Sequence, residues 1–252
     1  TVTLNASGAI ELVAADALKV GNATVTNGNA GDTATTGNIT VSSADKLSSN
    51  GASGQVDVSF GTASAGTGTP AAGKLNVTTD GGVGDAGGIF VQSGEALTVG
   101  TLNTADATSQ NITIAGTAIT LAGDGGAYAL DSDVVTINPT GAFTLSQALN
   151  LGSLSVSGGT TITISNAITT ANSTTGASGG ISLSGSGAVA LNAALATGTS
   201  NIAESGGADT ATTGSISVTS TGGAITGNAS GTLTTGAATV DGTTNNDSAT
   251  SG

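Results

Sequence analysis

The chain has 252 residues, of which 42 are glycine, 37% are hydrophobic, 8% are charged and 2% are aromatic. Sixteen acidic residues oppose three lysines (Lys19, Lys46 and Lys74), giving a formal net charge of −13, and there is no His, Cys, Met or Trp. Phosphate binding needs clustered cations, so nucleic acid and anionic membrane surfaces are disfavoured as partners. The absence of Cys excludes thiol chemistry, and no apolar run approaches the roughly 20 residues of a membrane span.

A short alternation of apolar and polar residues recurs along the chain and predicts one core strand at the start of each of eight units. The units cover about residues 1–37, 38–73, 74–110, 111–133, 134–159, 160–179, 180–214 and 215–252. Their opening strands are Val2–Leu4, Ile39–Val41, Leu75–Val77, Ile112–Ile114, Val135–Ile137, Ile162–Ile164, Ile181–Leu183 and Ile216–Val218.

Many units contain two further short strands. Examples of the second are Ala9–Leu12, Ala118–Leu121, Ala142–Leu145 and Ala188–Leu191, and examples of the third are Ala17–Val20, Ala96–Val99 and Leu154–Val156. Longer units end in Gly/Asn-rich stretches such as residues 27–32, which predict protruding loops. Three short strands per unit without helical periodicity predict an all-β parallel β-helix, a solenoid of about eight coils.

The strand phase also predicts what the core contains. Alternate side chains of a strand point inward, so Ile39 and Val41 should stack between Val2 and Leu4 below and Leu75 and Val77 above, with Thr40 and Asn76 facing water. Phe60, Phe90 and Phe143 fall on strands and are interpreted as core residues. Glycines at the corners would supply the turns with positive φ.

The string Asp-Thr-Ala-Thr-Thr-Gly-x-Ile-x-Val occurs twice, at residues 32–41 and 209–218. Neither end of the sequence has a recognisable capping segment, and joining residue 252 to residue 1 gives a string close to the internal joints. We therefore expect residues 1–252 to be one segment with uncapped ends, part of a longer rod or a unit that stacks end to end.

The Gly-x-Ile-x-Val and Gly-Ala-Ile-x-Leu strings resemble the repeat region of filamentous haemagglutinin-like exoproteins, the large adhesins of two-partner secretion and related giant bacterial surface proteins. Residues 37–41, 8–12, 180–191 and 214–225 carry the resemblance, which extends over nearly the whole chain. It implies a right-handed β-helix that is exported to the cell surface and serves as a stalk in adhesion or aggregation.

Candidate chemical sites are few. Asp131 and Asp133 would face the same way on a strand and could form a carboxylate pair, although a solvated turn is the preferred interpretation. Residues 80–88 resemble one Gly-Gly-x-Gly-x-Asp calcium repeat, with one residue out of place and no second copy. The other acids are assigned to solvated loops: Asp16, Asp32, Asp45, Asp106, Asp124, Glu204, Asp209, Asp241 and Asp247.

Thr-x-Thr triplets occur at residues 1–3, 24–26, 33–35 and 161–163. Stacked threonine ladders order water in ice-binding proteins, but these triplets fall at different places within their units and predict no continuous ladder. The sequence thus predicts no catalytic, cofactor-binding or metal site.

The favoured function is an extracellular structural and adhesive rod that is not an enzyme. Its expected partners are neighbouring copies or the continuation of the same chain, and a host-cell, neighbouring-cell or glycan surface. The alternatives are an ice- or mineral-binding β-helix, which would show one flat face of aligned Thr or Asp, and a carbohydrate-active β-helix enzyme, which would show converging carboxylates beside a basic group.

Overall fold

The computed structural model describes the backbone of residues 2–6, 10–12, 18–20, 23–24, 33–35, 39–43, 47–49, 58–60, 63–64, 69–71, 75–79, 89–92, 97–103, 111–122, 128–203, 208–241 and 248–252. It describes the side chains of residues 97–99, 112–122, 128, 130, 133–203, 208–241 and 248–252.

All regular structure in the described residues is β-strand. The strands up to residue 92 are β1 (Val2–Ala6), β2 (Ile10–Leu12), β3 (Leu18–Val20), β4 (Ala23–Thr24), β5 (Thr33–Thr35), β6 (Ile39–Ser43), β7 (Leu47–Ser49), β8 (Val58–Phe60), β9 (Ala63–Ser64), β10 (Thr69–Ala71), β11 (Leu75–Thr79) and β12 (Ile89–Gln92). The next are β13 (Leu97–Asn103), β14 (Asn111–Gly116), β15 (Ile119–Leu121), β16 (Tyr128–Pro139), β17 (Ala142–Leu145), β18 (Leu149–Ser157), β19 (Thr161–Ile164), β20 (Ile168–Thr170) and β21 (Ile181–Gly185). The last are β22 (Val189–Leu191), β23 (Leu195–Ala196), β24 (Ser200–Ala203), β25 (Thr210–Thr212), β26 (Ile216–Ser220), β27 (Ile225–Gly227), β28 (Leu233–Thr234), β29 (Ala238–Asp241) and β30 (Ser248–Thr250).

Parallel pairing stacks these strands into three long ladders from residue 97 onward. The first ladder contains the start of β16, the start of β18, β20, β23 and β28. The second contains β14, the end of β16, the end of β18, β21 and β26. The third contains the start of β13, then β15, β17, β19, β22 and β27.

Successive strands along the chain pass from one ladder to the next and then return to the first. After β19 in the third ladder, β20 lies in the first, β21 in the second and β22 again in the third. A chain that visits three parallel ladders in rotation and rises by one strand each time is a parallel β-helix. The expected fold class is therefore confirmed, whereas its right-handedness and the number of coils stay predictions.

The core is a column of aliphatic side chains from all three ladders. In β19, Ile162 and Ile164 are fully buried while Thr161 and Thr163 face outward. Ile162 lies in register between Phe143 and Val189, which are also fully buried. Phe143 is thus the core residue that its strand position predicts; Phe60 and Phe90 lie on β8 and β12, and their side chains are outside the described residues.

The first coils follow the predicted register. Ile39 pairs with Val2 on one side and with Leu75 on the other, and Val41 pairs with Leu4 and Val77. The side chains at these positions, including Thr40 and Asn76, lie outside the described residues.

The opening strands of the predicted units do not all lie in one ladder. The opening strands at residues 112–114, 135–137, 181–183 and 216–218 lie in the second ladder, and the one at 162–164 lies in the third. Strands of similar sequence are interchangeable between ladders because each needs only one buried and one solvated side. The number of residues between strands then decides which ladder each one joins.

The longer coils contain more than three strands. Along the chain, residues 199–203, 208–212, 237–241 and 248–250, here called the side lobe, lie between strands of the first and second ladders and carry the pairs β24–β29 and β25–β30. The corresponding pairs in the first coils are β4–β9 and β5–β10. These strands flank the glycine- and asparagine-rich stretches, and residues 27–32, which were predicted to form a protruding loop, lie outside the described residues.

Candidate functional site: an uncharged hydroxyl surface

The outward side of the third ladder carries a continuous column of small side chains, here called the threonine column. Its members, each paired with the next, are Thr98, Thr120, Thr144, Thr163, Ala190 and Thr226. The residues flanking each of the first five are buried, so these outward side chains are held by their strands. Paired strands lie about 4.8 Å apart, which sets a regular spacing between neighbouring hydroxyls.

The sequence did not predict this column, in which four successive threonines are followed by Ala190. The expectation considered Thr-x-Thr triplets, and only the triplet at residues 161–163 contributes to the column. The signal that would have found it is the apolar-Thr-apolar triplet at residues 97–99, 119–121, 143–145 and 162–164. These triplets lie in different parts of the predicted units, and only the pairing register aligns them.

The second ladder carries a comparable outward column, here called the serine column. Its members are Thr113, Thr136, Ser155, Ser182 and Ser217. A hydroxyl donates one hydrogen bond and accepts two while remaining neutral. The two columns therefore give the rod an uncharged surface that can exchange hydrogen bonds with water or with another hydroxyl-bearing surface.

Other hydroxyls are buried and hold the corners of the coils. Thr170 is only 2% exposed; its Oγ1 donates to the carbonyl oxygen of Gly179 at 2.7 Å and accepts from the N–H of Gly198 at 2.9 Å. One coil further on, Thr197 Oγ1 accepts from the N–H of Gly236 at 3.1 Å. These side chains satisfy backbone groups at the point where the chain leaves the first ladder, so their role is structural.

The return corner uses the same arrangement. Ser178 Oγ accepts from the N–H of Gly214 at 2.9 Å, and Thr213 Oγ1 accepts from the N–H of Gly252 at 2.7 Å. Glycine is required here because a Cβ built on Gly214 would lie 2.0 Å from the carbonyl oxygen of Gly179. In each of these coils, a hydroxyl–glycine contact with the adjacent coil thus lies at both ends of the side-lobe segment.

A shallow groove of about 390 Å³ lies beside the serine column. Val134, Gly152 and Ser153 form one wall, and residues 171–175 and 177–179 form the other. Ser173 Oγ accepts from the N–H of Gly176 at 3.1 Å, which fixes the loop that makes this wall. The lining offers hydroxyl and amide groups without a charged side chain, which suits a small polar ligand better than an ionic one.

The two candidate carboxylates lie in β16 rather than in a turn. The register shifts between Leu130 and Val134, so Asp131 and Asp133 fall in the segment where the strand passes from the first to the second ladder. Asp133 is 1% exposed, and interpreting it as part of a solvated turn is therefore wrong. The side chain of Asp131 is outside the described residues.

Among the described residues, the remaining acidic side chains are dispersed. Asp241 lies at the exposed end of β29, a strand rather than the expected loop, and Asp209 lies just before β25. The calcium-like string at residues 80–88 is outside the described residues, as are the other acids that were assigned to loops. Within the described part of the chain, no three acidic side chains come close enough together to hold a metal ion.

No protein-family model, curated protein or solved structure matches the chain. No helix long and apolar enough to cross a membrane occurs among the described residues. The two hydroxyl columns and the groove beside the serine column are therefore the features from which a function can be argued.

Proposed function

We propose that the chain is a stiff structural segment of an extracellular bacterial surface rod, without enzymatic activity, and that its hydroxyl columns form the adhesive surface. The observation that carries this proposal is the unbroken stacking of buried aliphatic residues and outward hydroxyls in the same register. From Leu97 to Leu195, the inward positions of the three ladders form one continuous core.

The stiffness follows from how the coils are joined. The N–H of Ile162 donates to the carbonyl of Ala188 at 2.9 Å, and the N–H of Asn192 donates to the carbonyl of Ile164 at 2.8 Å. Similar bonds join neighbouring coils on each ladder, and burial of the aliphatic column adds to them. Stability in such an array is approximately a sum over coils and their interfaces, so a longer stack stays rigid without a wider core.

The adhesive role rests on the chemistry of the outer surface. The serine and threonine columns present neutral donors and acceptors at regular spacing, which matches the hydroxyl-rich surface of a glycan better than that of an anionic polymer. Binding an anionic polymer would need clustered cations on this surface. The partner class we propose is therefore a neutral glycan on a host or neighbouring cell.

The test is to display the chain on a non-adherent bacterial host and to measure attachment to glycan-coated surfaces and aggregation of the cells. We expect attachment with the original chain and its loss with Ser155→Lys and Ser182→Lys, which place charges in the serine column. Asn150→Lys, an outward change on the first ladder, is the matched control and should keep attachment. Equal attachment by the original chain, the two serine-column variants and Asn150→Lys would contradict the adhesive role.

The threonine column supports a second candidate, an ice-binding surface. Four successive threonines, Thr98 to Thr163, lie on one ladder, which is the arrangement expected of a face that orders water in a lattice. Thermal hysteresis of the purified chain measures this activity directly. An ice-binding protein would lose it with Thr144→Lys and keep it with Asn150→Lys, and a freezing-point gap of zero in the original chain would eliminate this candidate.

A further inference from the structure

The groove beside the serine column lies where the chain passes from the first ladder to the second, and neighbouring coils differ in length at this corner. The middle coil crosses it with only Gly152 and Ser153 between its paired ladder positions. The coil above crosses it with residues 171–180, and the coil below with residues 131–134. The short corner is therefore set back between two longer ones, and the recess is the groove of about 390 Å³. We propose that this groove is a binding site for one ring of a neutral sugar.

The wall formed by residues 171–179 is held at both ends by the side lobe of the next coil. Near its start, the N–H of Ser173 donates to the carbonyl of Thr199 at 2.8 Å. Near its end, the N–H of Ser178 donates to the carbonyl of Thr212 at 3.0 Å. Because this wall is already ordered, a ligand that binds against it loses little free energy to the ordering of the loop.

The polar groups of the groove include both donors and acceptors. Asn172 Oδ1 accepts from the N–H of Thr199 at 2.8 Å, which orients the side-chain amide and leaves the two N–H donors of Nδ2 for a ligand. Thr174 and Thr175 are exposed on the same wall, and Ser153 lies on the opposite one. Their hydroxyls can each donate and accept, which matches the hydroxyl groups around the edge of a sugar ring.

Val134 adds an apolar patch to the groove. Its side chain is 39% exposed although it lies within β16. A pyranose ring presents C–H groups on its faces, and ligand sites generally combine apolar contacts of this kind with a few placed polar groups. Among the described residues that line the groove, none is charged. An anion would therefore find no cation there and a metal ion no carboxylate, so the lining favours a neutral ligand.

The volume of the groove limits the size of its occupant. Ligand pockets generally enclose about 300–1,000 Å³, and the groove, at about 390 Å³, lies at the small end of that range. A single ring suits this volume better than a longer piece of a glycan.

The rest of a glycan chain can continue over the serine column. Ser153 in the groove and Ser155 in the column are two residues apart on β18, so their side chains lie on the same side of the strand, about 6.6 Å apart. Ser155 pairs in turn with Ser182 of the next coil. The inference thus rests on the proposed function, because it names the place where the adhesive surface holds one ring of its glycan.

Nuclear magnetic resonance of the whole isotope-labelled chain tests the site directly. The probes are the methyl glycosides of glucose, galactose, mannose and N-acetylglucosamine. With at least one of them, we expect the amide signals of Ser153, Asn172 and Ser173 to shift, with a Kd on the order of millimolar as for a small ligand in a shallow site. The signal of Thr163, on the third ladder, should not move. The methyl glycoside of glucuronic acid should cause much smaller shifts, because its carboxylate meets no cation in a chain of net charge −13.

Substitutions on the two walls test the assigned contacts. Asn172→Asp keeps an oxygen for the N–H of Thr199 but removes the Nδ2 donors, so the affinity should fall about tenfold, as expected for the loss of one or two hydrogen bonds. Asn192→Asp adds the same charge at an exposed position outside the groove and should bind like the original chain. Ser153→Leu fills the groove from the opposite wall and should abolish the shifts, whereas Gly176→Ala, in the same loop but outside the lining, should keep them.

The absence of shifts at the groove with all four neutral glycosides would overturn the inference. Equal shifts with the glucuronic acid glycoside, or equal affinities of Asn172→Asp and Asn192→Asp, would also overturn it. The attachment assay separates this inference from the proposed function. Glycoside binding in the groove without attachment of the displaying cells would refute the adhesive function alone, and attachment that Ser153→Leu leaves unchanged would refute the groove as a sugar site alone.

Discussion

The buried hydroxyl of Thr170 gives the sharpest test of how the coils are joined. Thr170→Val keeps the shape of the side chain but removes the donor to Gly179 and the acceptor for the N–H of Gly198. Leaving a buried polar group without a partner costs about 1–3 kcal/mol. Because the two groups share one hydroxyl and losses within one hydrogen-bond network are not additive, we expect a loss of about 2–4 kcal/mol for both together. The extra methyl of valine recovers about 0.8 kcal/mol. We expect a net destabilisation of about 1–3 kcal/mol.

Two measurements check this expectation. Urea unfolding followed by circular dichroism gives the change in stability, and hydrogen exchange of the Gly198 amide reports the local opening of that corner. Because about 1.4 kcal/mol corresponds to a factor of ten, this amide should exchange about five- to hundredfold faster in the variant. Thr163→Val is the matched control: the same substitution on the outward side of β19 should change stability by less than about 0.5 kcal/mol.

The result that would refute the reasoning is equal destabilisation by the two valine substitutions. Unchanged exchange at Gly198 in Thr170→Val would also refute it, because the amide would then have a partner other than the threonine hydroxyl. Either outcome would remove the physical basis for assigning the corner hydroxyls a role in joining the coils.

The remaining predictions concern packing and are measured by the same unfolding experiment. Gly198→Ala places a Cβ 2.1 Å from the carbonyl oxygen of Ala171, so the backbone must move and the free energy of unfolding should fall by about 1–3 kcal/mol. The control is Gly176→Ala, which should leave the stability unchanged because no atom lies within 4 Å of the added Cβ. Ile162→Ala removes a fully buried side chain and should cost about 2–5 kcal/mol, whereas Ile225→Ala in the isolated chain should cost about 1 kcal/mol or less. Equal losses in either pair would contradict the burial on which the core is defined.

Much of the fold follows from local patterns. Strands such as Ile119–Leu121 and Val189–Leu191 were predicted from alternation alone, since one buried and one solvated side require a period of two. Phe143 was placed in the core for the same reason. Two adjacent corner glycines, Gly158 and Gly159, have positive φ values of 102° and 85°, as the expected turn chemistry requires.

The candidate surface was less predictable. The Thr-x-Thr triplets did not predict the threonine column, although the sequence contains every residue of it. A column forms only between strands that are adjacent in the fold, and the sequence pattern does not show which strands are adjacent. Asp133 shows the same limit: it was interpreted as part of a solvated turn, but the passage of β16 between two ladders buries it.

The amino-acid sequence by itself determined that this chain is built from short strands with small corners and a narrow aliphatic core, because alternation and glycine act within a few residues. Only the tertiary structure decided the order in which the strands stack. Val2 pairs with Ile39, 37 residues further on, whereas Phe143 pairs with Ile162, 19 residues further on. Since the segments between strands vary so widely in length, the register is selected by core packing and by hydroxyl–glycine contacts between coils, and that register creates the hydroxyl columns.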